Sequence, residues 1–143
     1  MAIVADSGGI YALYDSKDVH HKAVRRYLAQ SHDLVHLPVP LLGELGYMLG
    51  EWLGTEALLQ FLTDVEAGAY RIEPFLAQDL EKCRALVKQY ADLDLGLCDA
   101  AVIALAERLK IDTILTVDER DFRVIRTAQG RAFRLLPADR KKR

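Results

Sequence analysis

Residues 2–15 read AIVADSGGIYALYD. Four small or apolar residues suit a short buried strand, Asp6 is the first charge in the chain, and Ser7 opens a helical run that a serine is well suited to cap. The same alternation continues to the other end. HHKAVRRYLAQ (20–30) has helical spacing, DLVHLPV (33–39) returns to strand character, and residues 41–52 and 54–68 read as two helices parted near Gly54, with Thr55 as a cap. AYRIEPF is a short strand closed by Pro74, helices follow at 77–91 and 97–110, and DTILTV (112–117) and AFRLLP (132–137) are the last strands. Helix 97–110 is apolar on nearly all sides and is expected to be buried. Near-continuous apolar strands alternating with helices predict an α/β fold. The expected form is a three-layer α/β/α sandwich around a central, mainly parallel sheet.

The 143 residues suit a single domain, taken as residues 1–137, followed by a basic tail at 138–143. Half of the residues are hydrophobic and 28% are charged, a balance that excludes a disordered chain. Cys83 and Cys98 are far apart, form no CxxC pair and read as buried thiols of a reducing compartment, so the expected location is cytoplasmic. The apolar start is too short for a signal peptide or a membrane span, and no membrane association is expected.

The net charge of −2 conceals a division. Residues 120–143 hold nine Lys or Arg against two acids (+7), whereas residues 1–119 hold ten against nineteen (−9). A basic end of this kind permits phosphate contact.

In parallel sheets, functional groups collect at the carboxyl ends of the strands. Asp6 follows AIVA and Asp118 follows ILTV, each the first charge after a short strand. Two further acids stand in apolar surroundings. Glu44 lies in VPLLGELGYML, where Leu41, Tyr47 and Met48 at helical spacing put it on or beside a core-facing stripe; Asp99 lies in LGLCDAAVIALA, between Leu95 and Ile103. An unpaired buried carboxylate costs several kcal/mol, so such groups need a cation or a proton. Structural alternatives exist for each: strand-end turns for Asp6 and Asp118, the helix dipole for Asp99, an Arg partner or simple exposure for Glu44.

Carboxylates without accompanying His or Cys suit Mg2+ or Mn2+ and not zinc. His20, His21, His32 and His36 match no zinc motif and read as structural or surface residues. GxSxG, a P-loop and a cysteine beside a base are all absent. Acids gathered around Mg2+ suit phosphate-ester chemistry, in which a metal lowers the pKa of water and neutralises the leaving oxygen.

IVADSGGIYALYDSKDVHH, VPLLGELGYML, LDLGLCDAAVIALAERL and ILTVDERDFRVIR followed by FRLLP together resemble the PIN-domain ribonucleases, most of all the VapC-type toxins of bacterial toxin–antitoxin pairs. The resemblance spans essentially the whole chain. It implies a metal-dependent endoribonuclease that hydrolyses RNA with metal-activated water, using Mg2+ or Mn2+. It further implies Asp6, Glu44, Asp99 and Asp118 as the acidic, metal-holding quartet. Ser7 and Thr116 would be hydroxyls that orient the strand-end acids. Asp121 is a rim acid or a helix cap, Asp92 and Asp94 are loop or cap residues, and Arg120, Arg123 and Arg126, with Arg25 and Arg26, would contact RNA. Gly8 and Gly9 depart from the family pattern, in which an apolar residue often comes second after the serine. They loosen the helix start and open the backbone to a phosphate. A cognate antitoxin and a homodimer built on the helices are the implied partners.

Other readings are a PIN-like nuclease acting on DNA or in RNA processing without a toxin role, and a non-catalytic cation-binding α/β module. A receiver-type module expects an acidic pair on strand one, where this chain has Asp6 with Ser7. The position of Asp118 directly after its strand carries a testable consequence: Asp118→Asn should reduce metal-dependent cleavage far more than Glu119→Gln, measured as initial rates on RNA.

Overall fold

The structure is a computed structural model and describes residues 1–140, so residues 141–143 of the expected basic tail lie outside the described residues. Five strands form one sheet: β1 (Ala2–Ala5), β2 (Leu34–Pro38), β3 (Arg71–Glu73), β4 (Thr113–Leu115) and β5 (Arg134–Leu136). Their spatial order is β3-β2-β1-β4-β5, and every pairing between them is parallel. Seven α-helices flank the sheet: α1 (Ser7–Tyr14), α2 (His21–Gln30), α3 (Val39–Met48), α4 (Thr55–Glu66), α5 (Ala77–Gln89), α6 (Leu97–Arg108) and α7 (Glu119–Phe122). The chain runs outward from β1 to β3, then returns to the other side of β1 for β4 and β5. Crossovers that run in both directions from β1 carry the flanking helices, in keeping with the α/β architecture that the alternation predicts.

β1 is the centre. Val4 sits opposite His36 of β2 on one side and Ile114 of β4 on the other, and Ile3, Val4 and Ala5 are fully buried, which is why this strand reads as an unbroken apolar run. α6 is apolar all round because it is buried all round: every residue from Ala100 to Ala106 lies in the core. A buried ion pair from Arg108 Nε to Asp79 Oδ1, 3.0 Å long, joins α6 to α5. Among the described residues no helix is long and apolar enough to cross a membrane.

Boundaries differ from the sequence expectation at one instructive place. The helix expected at 41–52 starts at Val39, because Pro40 is at home in a first helical turn, and it passes at Leu49–Leu53 into a π-helical turn. Gly54, at φ +101°, ends that turn; it precedes α4 in the capping position expected of Thr55, which is instead the first residue of the helix.

At the junction of β1 and α1 the helix lies close against the sheet. A Cβ on Gly9 would stand 2.6 Å from the backbone carbonyl oxygen of Leu115 in β4, so only glycine lets the first turn of α1 lie against that strand. At Gly8 a Cβ would meet only Val117 at an ordinary 3.4 Å. Gly9→Ala should therefore destabilise the fold by about 1–3 kcal/mol, because neither backbone can yield cheaply. Gly43→Ala, in the middle of α3 with nothing within 4 Å of the new methyl, should stabilise it by about 0.5–1 kcal/mol. Urea unfolding of the two variants measures both signs.

Candidate active site

A 3-2-1-4-5 order leaves a crevice where the direction of strand addition reverses, at the carboxyl ends of β1 and β4. Both strand-end acids stand there. Asp6, 4% exposed, caps α1, its Oδ1 accepting from the Gly9 amide at 2.7 Å. Its Oδ2 accepts from the Thr116 hydroxyl at 2.5 Å, across the gap between the two strands. Thr116 Oγ1 in turn accepts from the Asp118 amide at 2.9 Å, and Asp118 caps α7 by accepting from the Asp121 amide at 3.3 Å. One chain of hydrogen bonds thus runs from the start of α1 to the start of α7. Thr116 orients the acid across the sheet as well as the backbone of the acid beside it. Ser7, buried in the first turn of α1, makes no hydrogen bond to either acid.

Asp99, half-buried in the first turn of α6, is the third acid at this edge. The four groups feel one another. Burial first, then the charges of Asp99 and Asp118, push the Asp6 carboxyl up to about 7, against the pull of its two hydrogen bonds. Burial, then Glu44, Asp118 and Asp121, push Asp99 up to about 6. Glu44 is thus beside Asp99, yet it is exposed, and the core stripe of α3 is Leu41 and Leu45, continued by Leu49. Of the two expected places, on or beside the core-facing stripe, the structure gives the second, on the helix's flank; Tyr47, one of the neighbours used to draw the stripe, is 64% exposed. Glu44 also lies against Cys98, whose half-buried thiol donates to the Pro40 carbonyl at 3.5 Å and is pushed up to about 12 by burial and by Glu44. Such a thiol is no nucleophile at neutral pH.

Of the outer residues, Asp121 adds its charge to Asp99 and does not cap α7, a position held by Asp118. Asp92 and Asp94 are exposed in the loop before α6 and bond to no site acid. Arg123 is engaged elsewhere, donating to both oxygens of Asp139 at 2.7 and 2.6 Å and to Glu119 at 2.8 Å. Arg126 turns back to the Arg123 carbonyl at 2.7 Å, and Arg120 is exposed.

Among the described residues no Lys or Arg is paired with Asp6, Asp99, Asp118 or Glu44. Among the described residues no three His, Cys, Asp or Glu side chains converge closely enough to enclose a metal ion by themselves. The donor set fits a hard cation that keeps much of its water shell, since the groups near one another here are carboxylate oxygens with no His or soft sulfur ligand. Asp6 and Asp99, raised by burial and by neighbouring carboxylates, gain from such a cation.

Three comparisons bear on this arrangement. The PIN domain family model matches residues 3–128. Ribonuclease VapC26 of Mycobacterium tuberculosis is 30% identical over 135 residues, covering 94% of this chain and all of the relative. Among solved structures, M. tuberculosis VapC20, a Sarcin-Ricin loop cleaving toxin, matches with a TM-score of 0.77 at 20% identity over 83% of this chain and 92% of its own. VapBC2 from Rickettsia felis, bound to a DNA fragment from its promoter, matches at 0.65 and 17% over 94% and 97%.

The raised pKa of Asp6 has a definite sign. Between about 4 and 7 the folded chain holds a proton that the unfolded chain has released, so in metal-free protein stability falls as pH rises through that window and levels off above it. The loss is about 4 kcal/mol at most. Urea melts in a chelating buffer from pH 4 to 8 should show this slope, and Asp6→Asn should flatten it.

Proposed function

The chain belongs to the PIN-domain family and stands among its VapC-type ribonucleases, and we propose that it is a metal-dependent endoribonuclease, the toxin component of a toxin–antitoxin pair. The observation that carries the reading is the gathering of Asp6, Asp99, Asp118 and Glu44 near one sheet edge, where neighbouring carboxylates raise Asp6 and Asp99 and no basic partner stands among the described residues. Mg2+ or Mn2+ is the cofactor such oxygen donors select. A bound divalent cation there supplies a water of lowered pKa and neutralises the charge on the leaving oxygen of the phosphodiester.

The chain's own residues do the rest. Asp6 and Asp99 hold the cation. The Gly9 amide and the Thr116 hydroxyl fix the direction of the Asp6 carboxylate, so that no rotamer has to be chosen when substrate arrives. Asp118 and Glu44 would complete the pocket, directly or through water, and Asp121 deepens the negative field. That field repels an RNA backbone in the absence of the cation, which makes cation and substrate binding cooperative. Arg120 and Arg126 offer the exposed positive charge for guiding the backbone, whereas the guanidinium of Arg123 is already satisfied by Asp139.

Two partners belong to this reading. The exposed Tyr47, Trp52, Leu59 and Leu62 on the α3–α4 side are the kind of apolar surface that a second copy or an antitoxin covers. Purified protein should cleave single-stranded or looped RNA with Mg2+ or Mn2+ and not with chelator. Asp6→Asn and Asp99→Asn should each lower the rate by 100-fold or more, on the order expected when a metal ligand is lost, and should relieve growth inhibition in cells. Absence of cleavage on total cellular RNA with either metal would refute the assignment.

A further inference from the structure

Of the four histidines, three are accounted for by their surroundings. His21 Nδ1 bonds the Ala12 carbonyl at 2.8 Å, His36 pairs with Glu73 at 2.8 Å, and His32 is exposed in the turn after α2. His20 is different: like that of His32 its imidazole has no hydrogen-bond partner among the described residues, but it lines a cavity of about 250 Å³. The walls are His20 and Ala23 from the start of α2, Thr116 and Val117 from the end of β4, Glu119 from the first residue of α7, and Pro137 with Ala138 just after β5. Thr116 belongs to both places, because its hydroxyl holds Asp6. Whatever fills this cavity is therefore one residue away from the acids.

We propose that this cavity holds an unpaired guanine base of the RNA strand, next to the phosphodiester that is cut; this rests on the ribonuclease reading and adds the substrate's base to it. The cavity is smaller than the roughly 300–1,000 Å³ usual for whole ligands, which suits one flat ring system and not a larger group. Val117, Ala23, Pro137 and Ala138 supply apolar walls, and the imidazole of His20 supplies a face for stacking, the common means of holding a splayed base. Glu119 selects among bases. Oε1 accepts from Arg123 with one lone pair and keeps the other, and Oε2 has no partner among the described residues, so both oxygens can still accept. A carboxylate accepts best from two adjacent donors, and guanine alone presents two side by side, N1–H and the 2-amino group. Arg26 follows Ala23 by one helical turn and is exposed, in position for the phosphate of the same nucleotide.

The test is an NMR titration of the 15N-labelled full chain with guanosine, inosine and uridine 5′-monophosphates, alongside RNA cleavage. Guanosine monophosphate should shift the amide peaks of Ala23, Val117 and Ala138 at about tenfold lower concentration than the uridine nucleotide, with inosine, which lacks the amino group, between them. His20→Ala, whose own spectrum reports whether it folds, should weaken that binding about tenfold and raise KM for RNA cut beside guanine more than it lowers kcat. Gln129→Ala, at the far end of the sheet, should do neither. Equal binding of the guanosine and uridine nucleotides, no shift at these three amides, or an unchanged His20→Ala would overturn the assignment. Cleavage without nucleotide binding would refute the pocket and leave the ribonuclease reading standing; nucleotide binding without cleavage would do the reverse.

Discussion

The carboxylate of Asp6 accepts from the Gly9 amide with one oxygen and from the Thr116 hydroxyl with the other, and much of this structure depends on that pair of bonds. The first starts α1 and the second ties the end of β1 to the end of β4, two strands adjacent in the sheet and about 110 residues apart in the chain. Both bonds favour the ionised carboxylate, yet burial outweighs them, and no counter-charge stands beside the group among the described residues. A side chain so placed is at once a structural clamp and an unsatisfied charge, and the second property points to a cation.

The close approach at Gly9 serves the same end. With no Cβ, the first turn of α1 can press against the Leu115 carbonyl, and that contact puts the Asp6 carboxylate within reach of Thr116. The sequence reading took the Gly8–Gly9 pair as a looseness in the helix start that admits a phosphate. The structure gives Gly9 a different task, packing of helix against strand, and leaves Gly8 open. The physical difference is one of direction: a missing side chain can admit a ligand or a neighbouring backbone, and only the fold decides which.

The fold was largely legible because a strand buried on both faces must be apolar throughout, and a helix buried on all sides, such as α6, must be as well. The same logic found Asp6, Asp99 and Asp118 as charges that interrupt apolar runs. It left Glu44 undecided between the stripe and its edge, because helical spacing gives neighbours on a cylinder and not which neighbours face the core; Tyr47, counted toward the stripe, is exposed. It read His20 as a structural or surface residue, and the structure has it exposed; an exposed histidine before a helix carries no mark of the cavity lined by the ends of β4 and β5 beside it.

Residue order by itself determined the alternation of strands and helices, the parallel sheet and the acids at two strand ends, because burial and backbone periodicity are local demands that each segment must meet alone. Only the tertiary structure decided the 3-2-1-4-5 strand order, and with it that Asp6 and Thr116 meet, that Glu44 flanks Asp99, and that Arg123 is held by Asp139 and Glu119. Those are contacts between segments far apart in the chain. They follow from how the helices and strands close on one another, which no single stretch of sequence encodes.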